Sequence, residues 1–167
     1  MAPKLTAQHR RLHALAGAWV GDEVLAETPW MPGGRARSFV DTRVILHGTV
    51  LEQDYRQERE GRETLQAKGL YTYDPDGETY SLFWFDSLGF PPAEPAGGAW
   101  DGDRFTILRR SPRALARHTF AIRDAQEYEH AIETSWDGGT SWAPVMTGVY
   151  RRRSDGSPAP VPVLLKE

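Results

Sequence analysis

The chain has 167 residues, with 20 Lys and Arg against 23 Asp and Glu and a formal net charge of -3, so it lacks the strong basic field that binds nucleic acid or an anionic membrane. It contains no cysteine, which excludes a disulfide scaffold, a thiolate metal site and a thiol nucleophile. Its apolar runs are too short to span a bilayer, and its first residues lack the apolar stretch of a secretory signal. We therefore expect one domain in the cytoplasm, with neither nucleic acid nor a membrane as a partner.

The amino-terminal segment has the pattern of one short amphipathic helix. Leu12 and Leu15 recur at helical spacing, Thr6 is suited to the N-cap and Gly17 to the stop. We therefore predict a helix over about residues 5–16. A helix this short can cover one end of a larger β structure.

From Gly17 onward the apolar pattern has a period of two and is interrupted by turns rich in Gly, Pro and Asp. Ten strands are predicted, at about 18–27, 35–47, 50–59, 63–73, 79–87, 98–101, 104–110, 115–123, 127–136 and 142–152. No helical connection separates them, which excludes a parallel sheet, and closing the sheet removes its two exposed edges. The fold is therefore predicted as all-β, a single antiparallel ten-stranded up-and-down β-barrel over residues 1–153 with the helix capping one end. The Pro-rich segment 154–167 is predicted to be an extended or disordered tail.

Pairing across the turn after Asp74 predicts which residues of two strands share a face. A four-residue loop there gives three facing pairs: Tyr73 with Tyr80, Tyr71 with Leu82, and Gly69 with Trp84. Asp86 then lies on the face of Trp84. Its carboxylate is suited either to anchoring a polar group of a ligand beside the indole or to capping the loop that follows.

Two histidines are predicted to be neighbours on the inner face of the barrel. A three-residue turn at 124–126 places His118 and Phe120 beside His130, with the two imidazoles diagonal to each other. They are interpreted as polar contacts to a small molecule or ligands of haem or a metal, against the alternative of hydrogen-bonded core histidines. Haem is disfavoured because no histidine follows His130, and no cofactor or metal is expected.

Gln53, Tyr55 and Gln57 share one face of the third strand. Buried amides must find partners, so this face either lies outside the barrel or lines a polar cavity, and Leu51 on the same face favours the cavity. The loops 28–34 and 90–97 are predicted to gate access to it. Trp30 in the first loop is interpreted as a lid residue or as a contact between protomers.

The segment from Ser135 to Trp142 resembles the Asp-box of sialidase propellers. In that motif Asp137 bonds turn amides, Gly139 takes a left-handed conformation and Trp142 packs beneath the hairpin. These three residues are therefore predicted to be structural. A sialidase would need several copies, and the chain has one.

Gly17 and Trp19 form the Gly-x-Trp pattern that opens many lipocalin-like (calycin) barrels, in which an arginine of the last strand often stacks on the tryptophan. Arg151 to Arg153 end the last predicted strand, and Arg151 is assigned to this structural role. The chain resembles, over about residues 12–153, the bacterial family called domain of unknown function 1579, through these phrases: Leu15-Ala16-Gly17-Ala18-Trp19, Gln53-Asp54-Tyr55-Arg56-Gln57-Glu58-Arg59, Tyr73-Asp74-Pro75, Trp84-Phe85-Asp86-Ser87-Leu88-Gly89-Phe90-Pro91 and Met146-Thr147-Gly148-Val149-Tyr150-Arg151-Arg152. The resemblance implies a calycin barrel with a central cavity and no particular activity.

The sequence thus predicts a non-enzymatic binder of a small, largely apolar or amphipathic molecule. The residues predicted to contact it are Gln53, Tyr55, Tyr71, Trp84, Asp86, His118, Phe120 and His130. No catalytic motif is found. The alternatives are a haem-binding or cofactor-free enzyme of isomerase or decarboxylase type on the same barrel, and an interaction protein with a filled core. The sequence allows a homodimer as well as a monomer.

Overall fold

The computed structural model describes residues 4–29 and 31–153 of the chain. It contains one helix, α1 (Ala7–Leu12), followed by a 3₁₀ turn (His13–Leu15), and ten strands: β1 (Gly17–Leu25), β2 (Gly34–Ile45), β3 (Val50–Arg59), β4 (Arg62–Asp74), β5 (Thr79–Asp86), β6 (Ala96–Asp101), β7 (Arg104–Arg110), β8 (Leu115–Ile122), β9 (Glu127–Ser135) and β10 (Ala143–Arg152). A second 3₁₀ turn, Leu46–Gly48, joins β2 to β3. The prediction of the helix and ten strands is confirmed, whereas Trp30 and the predicted tail 154–167 lie outside the described residues.

The ten strands form one closed antiparallel barrel in which each strand pairs with its sequence neighbours. β1 pairs with β2 on one side and with β10 on the other, and this second pairing closes the sheet. The β5–β6 pairing is the shortest, because only Tyr80–Leu82 face partners in β6. The predicted barrel is confirmed. None of the described helices is long and apolar enough to cross a membrane.

The predicted registers of two hairpins are observed. In β4 and β5, the three facing pairs are Tyr73 with Tyr80, Tyr71 with Leu82 and Gly69 with Trp84. In β8 and β9, Phe120 faces His130 and His118 faces Ile132, so the two histidines are diagonal neighbours. Because successive side chains of a strand alternate between faces, these registers fix which side chains point into the barrel.

Helix α1 lies across one end of the barrel. Its N-cap Thr6 forms a capping box with His9, and Leu12 is buried against the barrel core. The hydroxyl of Tyr80 donates to the carbonyl of Gln8 at 3.0 Å, and the Arg11 guanidinium donates to the carbonyl of Gly102 at 2.7 Å. These contacts close this end of the barrel.

Trp19 is the centre of packing beneath the helix, with none of its surface exposed. Its indole donates to the carbonyl of Leu15 at 3.0 Å, and its ring meets Tyr128 edge-on at 4.8 Å. The guanidinium of Arg152 lies 4.2 Å from the Trp19 ring centre. Gly17 makes room for this arrangement, because a Cβ at its φ of +132° would overlap Nη1 of Arg152.

The stacking arginine is therefore Arg152, and the assignment of this role to Arg151 is wrong. Arg152 pairs with Trp19 in the register of β1 and β10 and donates to the carbonyls of Ala16 and Ala125. Arg151 is exposed and forms an ion pair with Glu127 at 3.0 Å. Adjacent residues of a strand face opposite sides, so only one of the two can reach the indole.

Arg152→Ala is expected to lower the free energy of unfolding by about 2 kcal/mol, because it removes a cation–π contact and two hydrogen bonds to backbone carbonyls. Arg151→Ala is the matched control and should cost less than about 0.5 kcal/mol, since its ion pairs are exposed. Urea unfolding followed by far-UV circular dichroism measures both. Equal losses in the two variants would contradict this division of roles.

The β9–β10 hairpin has the geometry that the Asp-box pattern predicts. Asp137 accepts hydrogen bonds from the Ser135 hydroxyl at 2.8 Å and from the Ser141 amide at 2.9 Å. Gly139 has a φ of +96°, and the indole of Trp142 donates to its carbonyl at 3.2 Å. These contacts hold the hairpin at the end of the barrel away from α1.

Candidate functional site

The barrel encloses a cavity of about 410 Å³ that opens at the end away from α1. Seven of the eight predicted contact residues line it: Gln53, Tyr55, Tyr71, Trp84, His118, Phe120 and His130. The eighth, Asp86, is not among its lining residues. Its carboxylate accepts from the Trp84 indole at 3.1 Å and from the Leu88 amide at 3.0 Å. Asp86 therefore orients the indole and caps the loop, and its prediction as a direct ligand contact is not supported by this geometry.

Aliphatic and aromatic side chains form most of the cavity wall. They come from strands on all sides of the barrel and include Val40, Leu82, Phe120, Ile132 and Met146. The Phe120 ring stacks on the His130 imidazole with their centres 4.1 Å apart. A wall of this composition favours the burial of apolar surface.

A buried carboxylate, Glu23, lies behind one side of the cavity and is only 1% exposed. It accepts hydrogen bonds from the Tyr55 hydroxyl at 2.9 Å, from Gln57 Nε2 at 2.7 Å and from the Tyr150 hydroxyl. We refer to Glu23, Tyr55, Gln57 and Tyr150 as the Glu23 cluster. The three donors line the cavity and therefore separate Glu23 from it.

Gly148 makes room for the Glu23 cluster. In the strand pairing, Gly148 of β10 lies opposite Glu23 of β1 on one side and opposite His130 of β9 on the other. A Cβ at Gly148 would lie 2.8 Å from the Tyr150 ring and 3.2 Å from Glu23 Cγ. The missing side chain thus lets the phenol and the carboxylate meet.

Glu23 and Tyr150 were not predicted from the sequence. The alternation of faces along β1 could have indicated Glu23, because it shares a face of the strand with Trp19 and Leu25, which are buried. That alternation puts Glu23 inside and leaves its neighbours Asp22 and Val24 exposed. The residue type argues against this position, because carboxylates are rarely buried.

The phenols of the Glu23 cluster keep their protons at neutral pH. Burial raises the pKa of Tyr55 and Tyr150 well above the ordinary value, and the nearby charge of Glu23 raises both further. Each hydroxyl can therefore donate a hydrogen bond to the carboxylate.

A second polar chain runs deeper in the barrel. The hydroxyl of Tyr71 donates to Gln53 Oε1 at 3.2 Å, and Gln53 Nε2 donates to the Thr42 hydroxyl at 3.3 Å. These bonds explain how Gln53, only 5% exposed, can face the interior. The inward orientation of this face of β3 is thus observed.

His118 and His130 form a hydrogen-bonded pair on the cavity wall. Nδ1 of His118 and Nε2 of His130 are 3.2 Å apart. Burial lowers the pKa of His118 to about 4, with the Arg109 charge as a second cause, and burial lowers the pKa of His130 well below its usual value. Both rings are neutral at pH 7, so one donates to the other and their two outer nitrogens present one donor and one acceptor. Among the described residues, no group of three or more His, Asp or Glu side chains could hold a metal ion.

Residues of the connecting loops shape the opening of the cavity. Met31 of the β1–β2 loop and Leu88, just before the predicted loop 90–97, line it. Arg59 ties the first loop to the end of β3, because its guanidinium donates to the carbonyls of Pro32 at 3.0 Å and Gly33 at 2.8 Å. The gating role of the two loops stays a prediction.

The comparisons with known proteins agree with this architecture. A family model described as a protein of unknown function (DUF1579) matches residues 4–152. The crystal structure of Rv2717c from M. tuberculosis is similar with a TM-score of 0.66 at 14% identity, covering 90% of this chain and 99% of that one. The S-type phycobiliprotein lyase CPES from Guillardia theta is similar with a TM-score of 0.66 at 10% identity, covering 90% and 94%. At these identities the likeness concerns the fold alone. No match is found among curated proteins.

Proposed function

The chain belongs to the DUF1579 family of proteins of unknown function, and from its cavity we propose that it binds a small, largely apolar molecule inside the barrel. The observation that carries this proposal is the cavity itself, because its volume of about 410 Å³ lies in the range of small-molecule sites. It also argues against the alternative of an interaction protein with a filled core.

The division of the wall into apolar and polar parts supports the same proposal. Each methylene group of a ligand that is buried against the apolar wall would contribute about 0.8 kcal/mol to the free energy of binding. The polar groups are few and fixed by their own hydrogen bonds, such as Tyr71 to Gln53 and His118 to His130. Such groups orient a ligand without a large cost of ordering.

Binding of the uncharged dye Nile red tests the proposal. We expect saturable binding to one site per chain with a rise in fluorescence. Leu65→Trp replaces an aliphatic side chain of the cavity wall near the opening by a bulkier indole ring. It should weaken binding at least about tenfold. Gln66→Trp is the control, because Gln66 is the next residue of β4 and its side chain is exposed on the other face.

Two results would contradict the proposal: no saturable binding to the wild-type protein, or equal affinities in the Leu65→Trp and Gln66→Trp variants. Native mass spectrometry of freshly purified protein provides an independent measurement. A co-purified mass that is lost on denaturation supports a binder, whereas a clean apo mass together with absent dye binding counts against one.

The neutral histidine pair favours a second candidate, a haem-binding or cofactor-free enzyme on the same barrel. A neutral imidazole on a cavity wall can accept a proton or ligate iron. The similar fold of a protein named a phycobiliprotein lyase supports this candidate at the level of architecture. Hemin titration tests the haem branch: a Soret shift that disappears in His118→Ala or His130→Ala would favour it over an apo binder.

A further inference from the structure

The buried charge of Glu23 is not neutralised by any cation in the described part of the chain. Glu23 is the only carboxylate among the buried side chains described, and no described ion pair involves it. All three of its partners are uncharged. Glu23 receives hydrogen bonds from every partner, an arrangement that suits the ionised carboxylate, which only accepts.

The cationic side chain at the opening of the cavity already has hydrogen-bond partners other than Glu23. Arg59 lines the cavity mouth, yet its guanidinium donates to the carbonyls of the β1–β2 loop. The histidine pair is neutral at pH 7. The cavity therefore borders a negative charge in a poorly solvated setting, where an opposite charge is attracted more strongly than in water.

The hydrogen bonds of the Glu23 cluster also favour a ligand that donates hydrogen bonds. A phenol has one proton, and Tyr55 and Tyr150 both direct theirs at Glu23. The two N–H bonds of Gln57 go to Glu23 and to the Tyr55 oxygen at 3.0 Å, while its carbonyl accepts from Thr64 at 3.0 Å. The groups of this cluster that line the cavity thus offer free lone pairs and no free proton.

Resting on the proposed function, we propose that the bound molecule carries a protonated amine or a similar cationic N–H group, which docks on the Tyr55 and Tyr150 oxygens in front of Glu23. A cationic donor satisfies the remaining lone pairs of the two phenol oxygens and compensates the buried charge at once. A carboxylate in the same place would meet no donor and would be repelled by Glu23.

A matched set of three ligands tests the inference: naphthylmethylamine, naphthylmethanol and naphthoate. They share the same apolar ring system and differ in the charge of the polar group. Calorimetric titration of the wild-type protein at pH 7 should give an affinity for the amine at least about tenfold higher than for the alcohol, with the carboxylate weakest. An amine that binds no tighter than the alcohol overturns the inference.

Two substitutions on β1 identify the origin of the preference. Glu23→Gln keeps the side-chain size and removes the buried charge, so the amine-to-alcohol ratio should fall to about one while alcohol binding changes less than about threefold. Asp22→Asn removes the same charge from the neighbouring side chain, which is 75% exposed, and should leave the ratio unchanged. A preference that survives Glu23→Gln overturns the inference.

The outcomes separate this inference from the proposed function. If Nile red or the alcohol binds and the amine shows no advantage, the inference fails and the binder stands. If neither Nile red nor any naphthyl ligand binds, both fail. Should Glu23→Gln not fold, the order of the three affinities in the wild-type protein decides the question by itself.

Discussion

Trp19→Ala is expected to lower the free energy of unfolding by about 4 kcal/mol, the largest loss from a single substitution that we predict. The indole is fully buried and contacts the 3₁₀ turn after α1, β9 and β10 through Leu15, Tyr128 and Arg152. Its removal leaves a void at the closed end of the barrel and an unpaired carbonyl on Leu15. Urea unfolding measures the change.

Trp84→Ala is the matched comparison, because Trp84 already faces the cavity and lies half-buried. It should cost less than about 2 kcal/mol of stability, since little packed surface is lost, but weaken Nile red binding about tenfold. The two tryptophans would thus separate stability from binding. Similar stability losses in both variants would contradict the assignment of Trp84 to the cavity wall.

Acid should destabilise the protein through its histidine pair. His118 has a pKa of about 4 in the folded state against 6.5 in the unfolded chain, so the unfolded state binds protons more readily between these values. The stabilising contribution is complete above pH 6.5 and is lost as the pH falls to 4. At about 1.4 kcal/mol per pH unit, His118 accounts for a loss of about 3 kcal/mol, and His130 adds to it.

The double variant His118→Gln/His130→Gln isolates this effect, because it removes both titrating groups while carboxylates elsewhere remain. Chemical unfolding at several pH values between 7.5 and 4 should give a steeper decline for the wild-type protein than for the variant. Parallel curves would show that the pair does not carry the acid sensitivity.

Much of the fold could be predicted from the sequence because its signals are local. Turn residues such as Gly61 and Gly102 have positive φ angles, and they mark where strands end. The length of the turn, supported by aromatic pairing, predicted the register of β4–β5, and the length of the turn alone predicted that of β8–β9. Since side chains alternate, a correct register placed the residues of these strands on the cavity wall.

The parts that were missed depend on contacts between distant strands. The burial of Glu23 makes sense only with donors from β3 and β10, which no local pattern of β1 contains. The choice between Arg151 and Arg152 depends on the phase of β10 relative to β1, and one residue exchanges the faces. Asp86 is on the predicted strand face, but its hydrogen bonds turn it toward the loop.

The pairing of β1 with β10 also has a consequence for how the chain is made. Its hydrogen-bonded partners are between 121 positions apart (Leu25 and Met146) and 133 positions apart (Trp19 and Arg152) in the sequence. During synthesis, β1 to β9 must be made before β10, the second partner of β1, exists. The growing sheet therefore carries two open edges that can pair with other strands until β10 closes the barrel, and because exposed edges promote aggregation, this is the most vulnerable stage.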